Sequence, residues 1–377
     1  MTLHDTKNLK KQVAPFEKST TKESIFQITN TVVPFIALWY LAYASLSVSY
    51  WLALVPIIIA AGFLTRIFII FHDCTHFSFF KSRRANRIVG TFMGVLTLHP
   101  FDQWGHDHSV HHATSGNLDK RGTGDIWTLT VDEYLAEPLK TRIAYRFYRN
   151  PLVMFGLGPI YVFVFKNRFN RKDARPKERN NTYLVNVIIV ALVALMCWAV
   201  GWQSFLLVQG SIFMISGAAG IWLFYVQHTF EDSYFEHDKE WEYVLAAVEG
   251  SSFYKLPKVL QWLTGNIGFH HVHHLSPRVP NYKFEKAHAS TTPLIKSRYR
   301  LKQKHSNPHE INAAPIPALA KLLIRSKVAT ASSNPKRMRL GPDSVIRNPH
   351  RSTGTTTTPM MAPKEFGFPR ISIRTAR

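Results

Sequence analysis

Apolar residues are concentrated in two double runs, and the polar residues between them set where each run must turn. The first covers about residues 28–71, broken only by a polar patch at 45–49. A bilayer crossing takes ~20 apolar residues, so this stretch predicts a helical hairpin with spans at about 28–48 and 51–71. The second pair is joined by the short turn Gly201-Trp202-Gln203-Ser204 and predicts spans at about 183–200 and 205–226. Two further apolar runs are shorter. Residues 151–165 include Gly156, Gly158 and Pro159, and residues 88–98 are fewer still, so both are expected to be interfacial or re-entrant. The pattern as a whole reads as an all-α integral membrane protein whose four transmembrane helices form two hairpins, with interfacial helices beside them.

Charge supplies an orientation. Residues 1–27 carry five lysines and no apolar core, which suits a cytoplasmic N-terminal segment better than a cleavable signal peptide. Arg83, Arg84 and Arg87 and the basic stretch 166–179 mark loops that should stay cytoplasmic. Each hairpin returns the chain to the side it left. Trp39, Tyr40, Tyr50, Trp51, Trp198 and Trp202 sit near span ends, where interfacial aromatic anchors belong. Arg66, inside the second span, is placed to snorkel toward headgroups or to take a polar partner. Cys74 and Cys197 are far apart and indicate no disulfide framework.

The charge is unevenly spread. Of a formal net charge of +22, residues 297–377 contribute 16 Lys/Arg against 3 Asp/Glu, together with nine prolines and a run of four threonines from Thr355 to Thr358. This composition predicts a basic, disordered tail following a folded domain at 28–296, and it also reads like translation in a shifted frame. Without aromatic interleaving or a binding module, the tail suits anionic lipid and not nucleic acid.

Histidine changes the picture most. Eight of the 18 histidines fall in three boxes: His72-Asp-Cys-Thr-His76, His108-Ser-Val-His111-His112 and His270-His-Val-His273-His274. Residues three or four apart stack on one side of a helix, so each box is read as a chelate aimed at a common point. Eight imidazoles exceed the four ligands of a structural zinc, and imidazole suits iron, copper, zinc or nickel, so two metal ions are expected. With two hairpins, all three boxes lie on one side of the membrane and can meet in a cytoplasmic, histidine-rich metal cap. His228 follows the fourth run as His72 follows the second, which makes it either a ninth ligand or a helix-end hydrogen bonder. His99, His106, His237 and His271 fall off the pattern. Asp73, Asp107, Asp119, Asp125, Glu231 and Asp232 are near enough in sequence to accept ring protons from ligands, or to serve as helix caps or solvated charges. Asn266, four residues ahead of His270, is a candidate extra ligand. A metal transporter would place its ligands near the bilayer midplane, whereas these lie at the ends of the runs.

These residues resemble the membrane fatty-acid desaturases. The likeness extends from about Lys11 to Leu294 and is similar to the Bacillus-type acyl-lipid desaturases of delta-5 type. It is carried by Phe71-His-Asp-Cys-Thr-His76, His111-His-Ala-Thr114, Asn117-Leu-Asp-Lys-Arg-Gly-Thr-Gly-Asp-Ile-Trp127, Gln227-His-Thr-Phe-Glu-Asp-Ser-Tyr234 and Gly268-Phe-His-His-Val-His-His-Leu-Ser-Pro277. The resemblance implies a diiron site, two iron ions held by His72, His76, His108, His111, His112, His228, His270, His273 and His274. It further implies insertion of a cis double bond into acyl chains of membrane phospholipids, using O2 and electrons from a ferredoxin or flavodoxin-like donor. Such an enzyme would sit in the cell membrane, serve lipid metabolism and adjust membrane fluidity. The same boxes occur in membrane hydroxylases and ketolases acting on lipids, which are the alternative.

Overall fold

The structure, a computed structural model, describes residues 3–230 and 233–291. The tail at 297–377, with Glu231 and Asp232, lies outside the described residues. The helices include, in chain order, α1 Leu3–Val13, α2 Thr21–Leu46, α3 Tyr50–Thr75, α4 Arg83–Leu96, α5 Phe101–Thr114, α6 Val131–Ala136, α7 Leu139–Tyr148, α8 Gly158–Ile160, α9 Pro176–Val200, α10 Trp202–His228, α11 Tyr243–Glu249, α12 Lys258–Leu263 and α13 His270–Leu275. Among the described residues there is no β-strand, only the isolated bridges Asn117–Glu236 and Phe253–Phe269.

Among the described residues four helices, α2, α3, α9 and α10, are long and apolar enough to cross a membrane. They form two hairpins with tight turns. Ser49 caps α3 by accepting a hydrogen bond from the Trp51 amide at 3.2 Å, and Gly201 makes the α9–α10 turn at φ +80°, a backbone region that suits glycine. The helices run past the apolar stretches toward the boxes. α3 continues through His72 to Thr75 and α10 ends on His228, so these histidines ride on the rigid ends of membrane helices. α2 starts at Thr21, taking the last residues of the basic N-terminal segment into the span.

α3 is the central helix. Its Ile57, Ala60, Leu64, Ile67, Ile70 and Phe71 are buried in the main apolar core with Phe35 and Ala42 of α2 and Ile212 of α10. α9 lies outside, with Tyr183, Val187, Val190 and Leu195 more than half exposed, as expected of a helix that faces lipid. Tyr40, Trp51, Trp198 and Trp202 are likewise exposed, while Trp39 and Tyr50 turn inward to Gln209 and Ser211 of α10. Arg66 does not snorkel. Its guanidinium donates to Thr31 Oγ1 and the Trp262 carbonyl and stacks 4.0 Å over the Trp262 ring.

The short apolar runs pack as helices against these spans. In α4, Gly90 and Gly94 allow close approach: a Cβ at Gly90 would fall 2.2 Å from the Phe101 ring. Residues 151–165 form α8 flanked by the wider turns Leu152–Leu157 and Tyr161–Phe165, seated on α10 where a Cβ at Gly217 would lie 2.6 Å from Phe163. The first two boxes precede α9 and α10 and the third follows them. Because all three meet, the intervening chain crosses an even number of times, and α9 and α10 already supply two crossings.

Candidate metal centre

The nine histidines converge as two groups. One nitrogen from each of His72, His76, His108, His112 and His273 lies within 4.8 Å of the others, and a second set is formed in the same way by His111, His228, His270 and His274. The HxxHH boxes therefore do not aim at a single point, contrary to the expectation from spacing. Neighbouring residues on a helix point ~100° apart, so His111 and His112 diverge to different groups, as do His273 and His274. In each box the i,i+4 pair serves one group and the intervening histidine the other. His108 and His112 join the first while His111 crosses to the second; His270 and His274 join the second while His273 crosses to the first.

Facing nitrogens explain why cations belong here. Nε2 of His108 and His112 are 3.1 Å apart, Nε2 of His111 and His228 3.1 Å, and Nε2 of His228 and His270 2.9 Å. Two nitrogens each about 2.1 Å from one ion at a right angle stand about 3.0 Å apart. Among the described residues Nε2 of His76, His273 and His274 is buried without a hydrogen-bond partner. Protonation does not resolve this. Burial, reinforced by neighbouring histidines, holds His76, His108, His112, His270, His273 and His274 well below the usual imidazole range. Neutral, convergent imidazoles are the form that binds metal.

Other residues fix ring orientation. His72 Nδ1–H donates to Asp73 Oδ1 at 3.0 Å, His111 Nδ1–H to Asp125 Oδ1 at 2.6 Å, and His228 Nδ1–H to the Gly250 carbonyl at 3.4 Å. Each of these contacts leaves Nε2 free to bind a metal. Asp73 is itself held: its Oδ2 accepts from the Asn281 amide at 2.6 Å and from Asn281 Nδ2 at 2.8 Å. Sequence reading missed Asn281, and nothing in its neighbourhood along the chain signals a contact 208 residues away. Asp107 and Asp119 are engaged elsewhere, by Arg171 at 2.6 Å and by His237 at 2.8 Å. Glu231 and Asp232 lie outside the described residues.

Asn266 is not placed as a ligand. Its Oδ1 accepts from Gln261 Nε2 and its Nδ2 donates to the Asn281 carbonyl, at 3.1 and 3.2 Å, so it steadies the loop that holds Asp73. The four histidines that fall off the spacing pattern stay out of both groups. His99 is packed among Phe68, Phe71 and Phe163, His106 faces Glu178 at 3.8 Å, His237 pairs with Asp119, and His271 Nε2 lies 3.0 Å from His288 Nδ1.

Most rings of both groups are buried. A narrow cleft between Ile126, Phe224 and Phe235 reaches His111 and His228 of the second group.

Helical membrane spans that carry histidine groups of this kind accord with the sequence pattern described as "Fatty acid desaturase", which matches residues 49–304. The chain belongs to the fatty acid desaturase family. A Bacillus subtilis (strain 168) protein named fatty acid desaturase is 68% identical over 291 residues, covering 77% of this chain and 83% of that protein. The sn-1 oleoyl-lipid 12-desaturase of Anabaena variabilis is 30% identical over 263 residues, 66% of this chain and 72% of the other. The chloroplastic omega-6 fatty acid desaturase of Glycine max is 27% identical over 242 residues, 60% of this chain and 53% of that protein, so the desaturase spans about half the length of this plant relative. The family match runs to residue 304, beyond Leu294, where the motif-level likeness ends. The desaturase is an oxidoreductase that acts on lipid acyl chains with O2, and its two histidine groups have the composition and spacing to hold metal in a membrane protein.

Proposed function

We propose that the desaturase inserts a cis double bond, at the delta-5 position, into acyl chains of membrane phospholipids. In this reading two iron ions are held by the nine histidines, one by His72, His76, His108, His112 and His273 and the other by His111, His228, His270 and His274. The observation that carries the reading is this division into two neighbouring all-imidazole groups, a donor set that suits iron among the first-row metals. When bound, the ions would supply O2 activation and removal of two hydrogens from the saturated chain, with two electrons and two protons completing the reduction of O2 to two waters.

The protein's own part is positioning and exclusion of water. Asp73 and Asp125 hold His72 and His111 in the tautomer that presents Nε2. The buried rings of His72, His112 and His273 in the first group and of His111, His270 and His274 in the second keep bulk water from the reacting carbons. The apolar helices that carry His72 and His228 let an acyl chain approach without leaving the hydrocarbon.

A ferredoxin or flavodoxin-like protein is the proposed electron donor, which places the centre and the N-terminus on the cytoplasmic side of the cell membrane. Charge supports that orientation. Arg83, Arg84, Arg87, Arg171, Arg175 and Lys177 lie on the side of the boxes, whereas the turns at 47–49 and at Gly201 carry no charge. A cis double bond disrupts acyl packing, so the product adjusts membrane fluidity.

The test is expression in a bacterium lacking the activity, followed by mass spectrometry of derivatised membrane fatty acids to locate double bonds. A new delta-5 species is expected. Hydroxylated chains would move the reaction to a hydroxylase, and unchanged lipids in cells supplied with iron and a ferredoxin would overturn the proposal.

A further inference from the structure

Helix α7 carries two stripes whose chemistry the metal centre does not use. Leu139, Ile143 and Phe147, spaced i, i+4 and i+8, are 66%, 58% and 63% exposed. Beside them run Arg142, Arg146 and Arg149, spaced i, i+4 and i+7, so that both stripes follow helical faces. An apolar stripe flanked by a basic one is the pattern of a helix lying in the membrane surface. The apolar stripe also continues. Leu152 is 82% exposed and Leu157 and Phe165 more than half exposed, in the segment seated on α10.

Among the described residues no carboxylate lies within ion-pair distance of Arg142, Arg146 or Arg149, while Arg87, Arg121, Arg171 and Arg175 all have acidic partners. The Arg142 Nε is buried without a hydrogen-bond partner. Arg146 and Arg149 are held instead by aromatic rings. Arg146 lies 5.7 Å over Tyr134, and Arg149 lies 5.7 Å over Tyr145 and 5.0 Å over Tyr225. Ring contacts of this kind orient a guanidinium while leaving most of its donors free. Among the described residues Arg149 has only long hydrogen bonds, 3.4 Å each, to the Trp127 carbonyl and the Tyr225 hydroxyl.

We propose that Arg142, Arg146 and Arg149 hold the phosphate of the phospholipid whose acyl chain is desaturated. The inference rests on the phospholipid-desaturase reading above and names the site that selects its substrate. Guanidinium groups bind phosphate through paired donors, and the adjoining apolar stripe fits a lipid better than an acidic protein. Position supports a role in the reaction. Tyr225 precedes His228 by three residues on α10, about one helical turn, and Arg149 reaches the Trp127 carbonyl next to Ile126, which lines the cleft to His111 and His228. A phosphate held at Arg149 therefore lies beside the segment that lines the cleft to His111 and His228.

The experiment uses the full, iron-loaded chain in vesicles, with a chemical reductant supplying electrons. Desaturation of phosphatidylglycerol is compared with that of the methyl ester of the same acyl chain, which has no phosphate, in the wild type and in the variants Arg146→Gln, Arg149→Gln and Arg149→Lys. The preference for the phospholipid over the methyl ester should fall about tenfold or more in each Gln variant, with partial recovery in Arg149→Lys. Equal losses on both substrates would show a merely structural role, and an unchanged preference would show no phosphate site; either overturns the inference. A loss seen only when an acidic protein donor replaces the chemical reductant would assign the stripe to donor docking and overturn it as well. The reading it rests on fails differently, as a wild type that desaturates the methyl ester but no phospholipid.

Discussion

The rings of His112 and His274 stack 4.1 Å apart, yet their nitrogens belong to different groups. The wall between the two groups is thus made of ligands from both, which keeps the proposed ions close enough to act on one substrate. His111 and His273 complete the exchange, each leaving its own box to serve the other group.

That exchange makes His228 separable from the boxes. Replacing it by Ala leaves the second group with three imidazoles and the first with all five, so His228→Ala should retain about one ion per chain and lose desaturation by several orders of magnitude. Elemental analysis of the purified variant checks this. Loss of both ions would show that the groups fill only together.

The carboxylate behind His72 offers a graded test. Outer partners of metal-bound histidines typically alter affinity ~10–100-fold, so Asp73→Asn should weaken one ion by that amount while the chain stays folded. Asn281→Ala should weaken it less, because the Asn281 amide still donates to Asp73. Metal titration with a competing chelator measures both.

Much of this was legible in the sequence. The two double apolar runs marked the hairpins because length and composition alone decide what spans a bilayer, and helical spacing marked the boxes. The division of labour within HxxHH was not, since spacing shows which residues share a face but not which of two nearby points each ring meets. Asn281 was invisible for a different reason: its contact with Asp73 depends on how the loop after α13 folds back onto α3. Asp107 and Asp125 looked equivalent by proximity, and only packing separated the partner of Arg171 from the partner of His111.

His99 supplies a pH prediction. Burial among aromatic rings lowers its pKa to about 3, with the charges of Arg168 and Lys166 adding to the effect and a backbone hydrogen bond at Thr97 opposing it. Above pH ~6.5 both folded and unfolded chains hold it neutral. As pH falls below that value, the unfolded chain takes a proton that the folded chain refuses, so stability is lost at ~1.4 kcal/mol per pH unit. His99→Phe should keep the aromatic packing and remove about 2 kcal/mol of the stability lost between pH 6.5 and 5. Denaturant unfolding in detergent at the two values reads the difference, and an unchanged pH slope would contradict it.

Gly90 tests the seat of α4. A Cβ there would meet Phe101, which is 2% exposed and has little room to yield. Gly90→Ala should cost ~1–3 kcal/mol from overpacking, seen as a lower unfolding midpoint, and α5 with His108, His111 and His112 should lose order with it.

The most direct measurement is the metal content of the full chain purified in mild detergent, counted per chain by elemental mass spectrometry. Two iron ions per chain are expected from groups of five and four imidazoles. One ion or none after reconstitution with ferrous iron, or retention of zinc alone, would contradict a diiron centre built from these nine histidines.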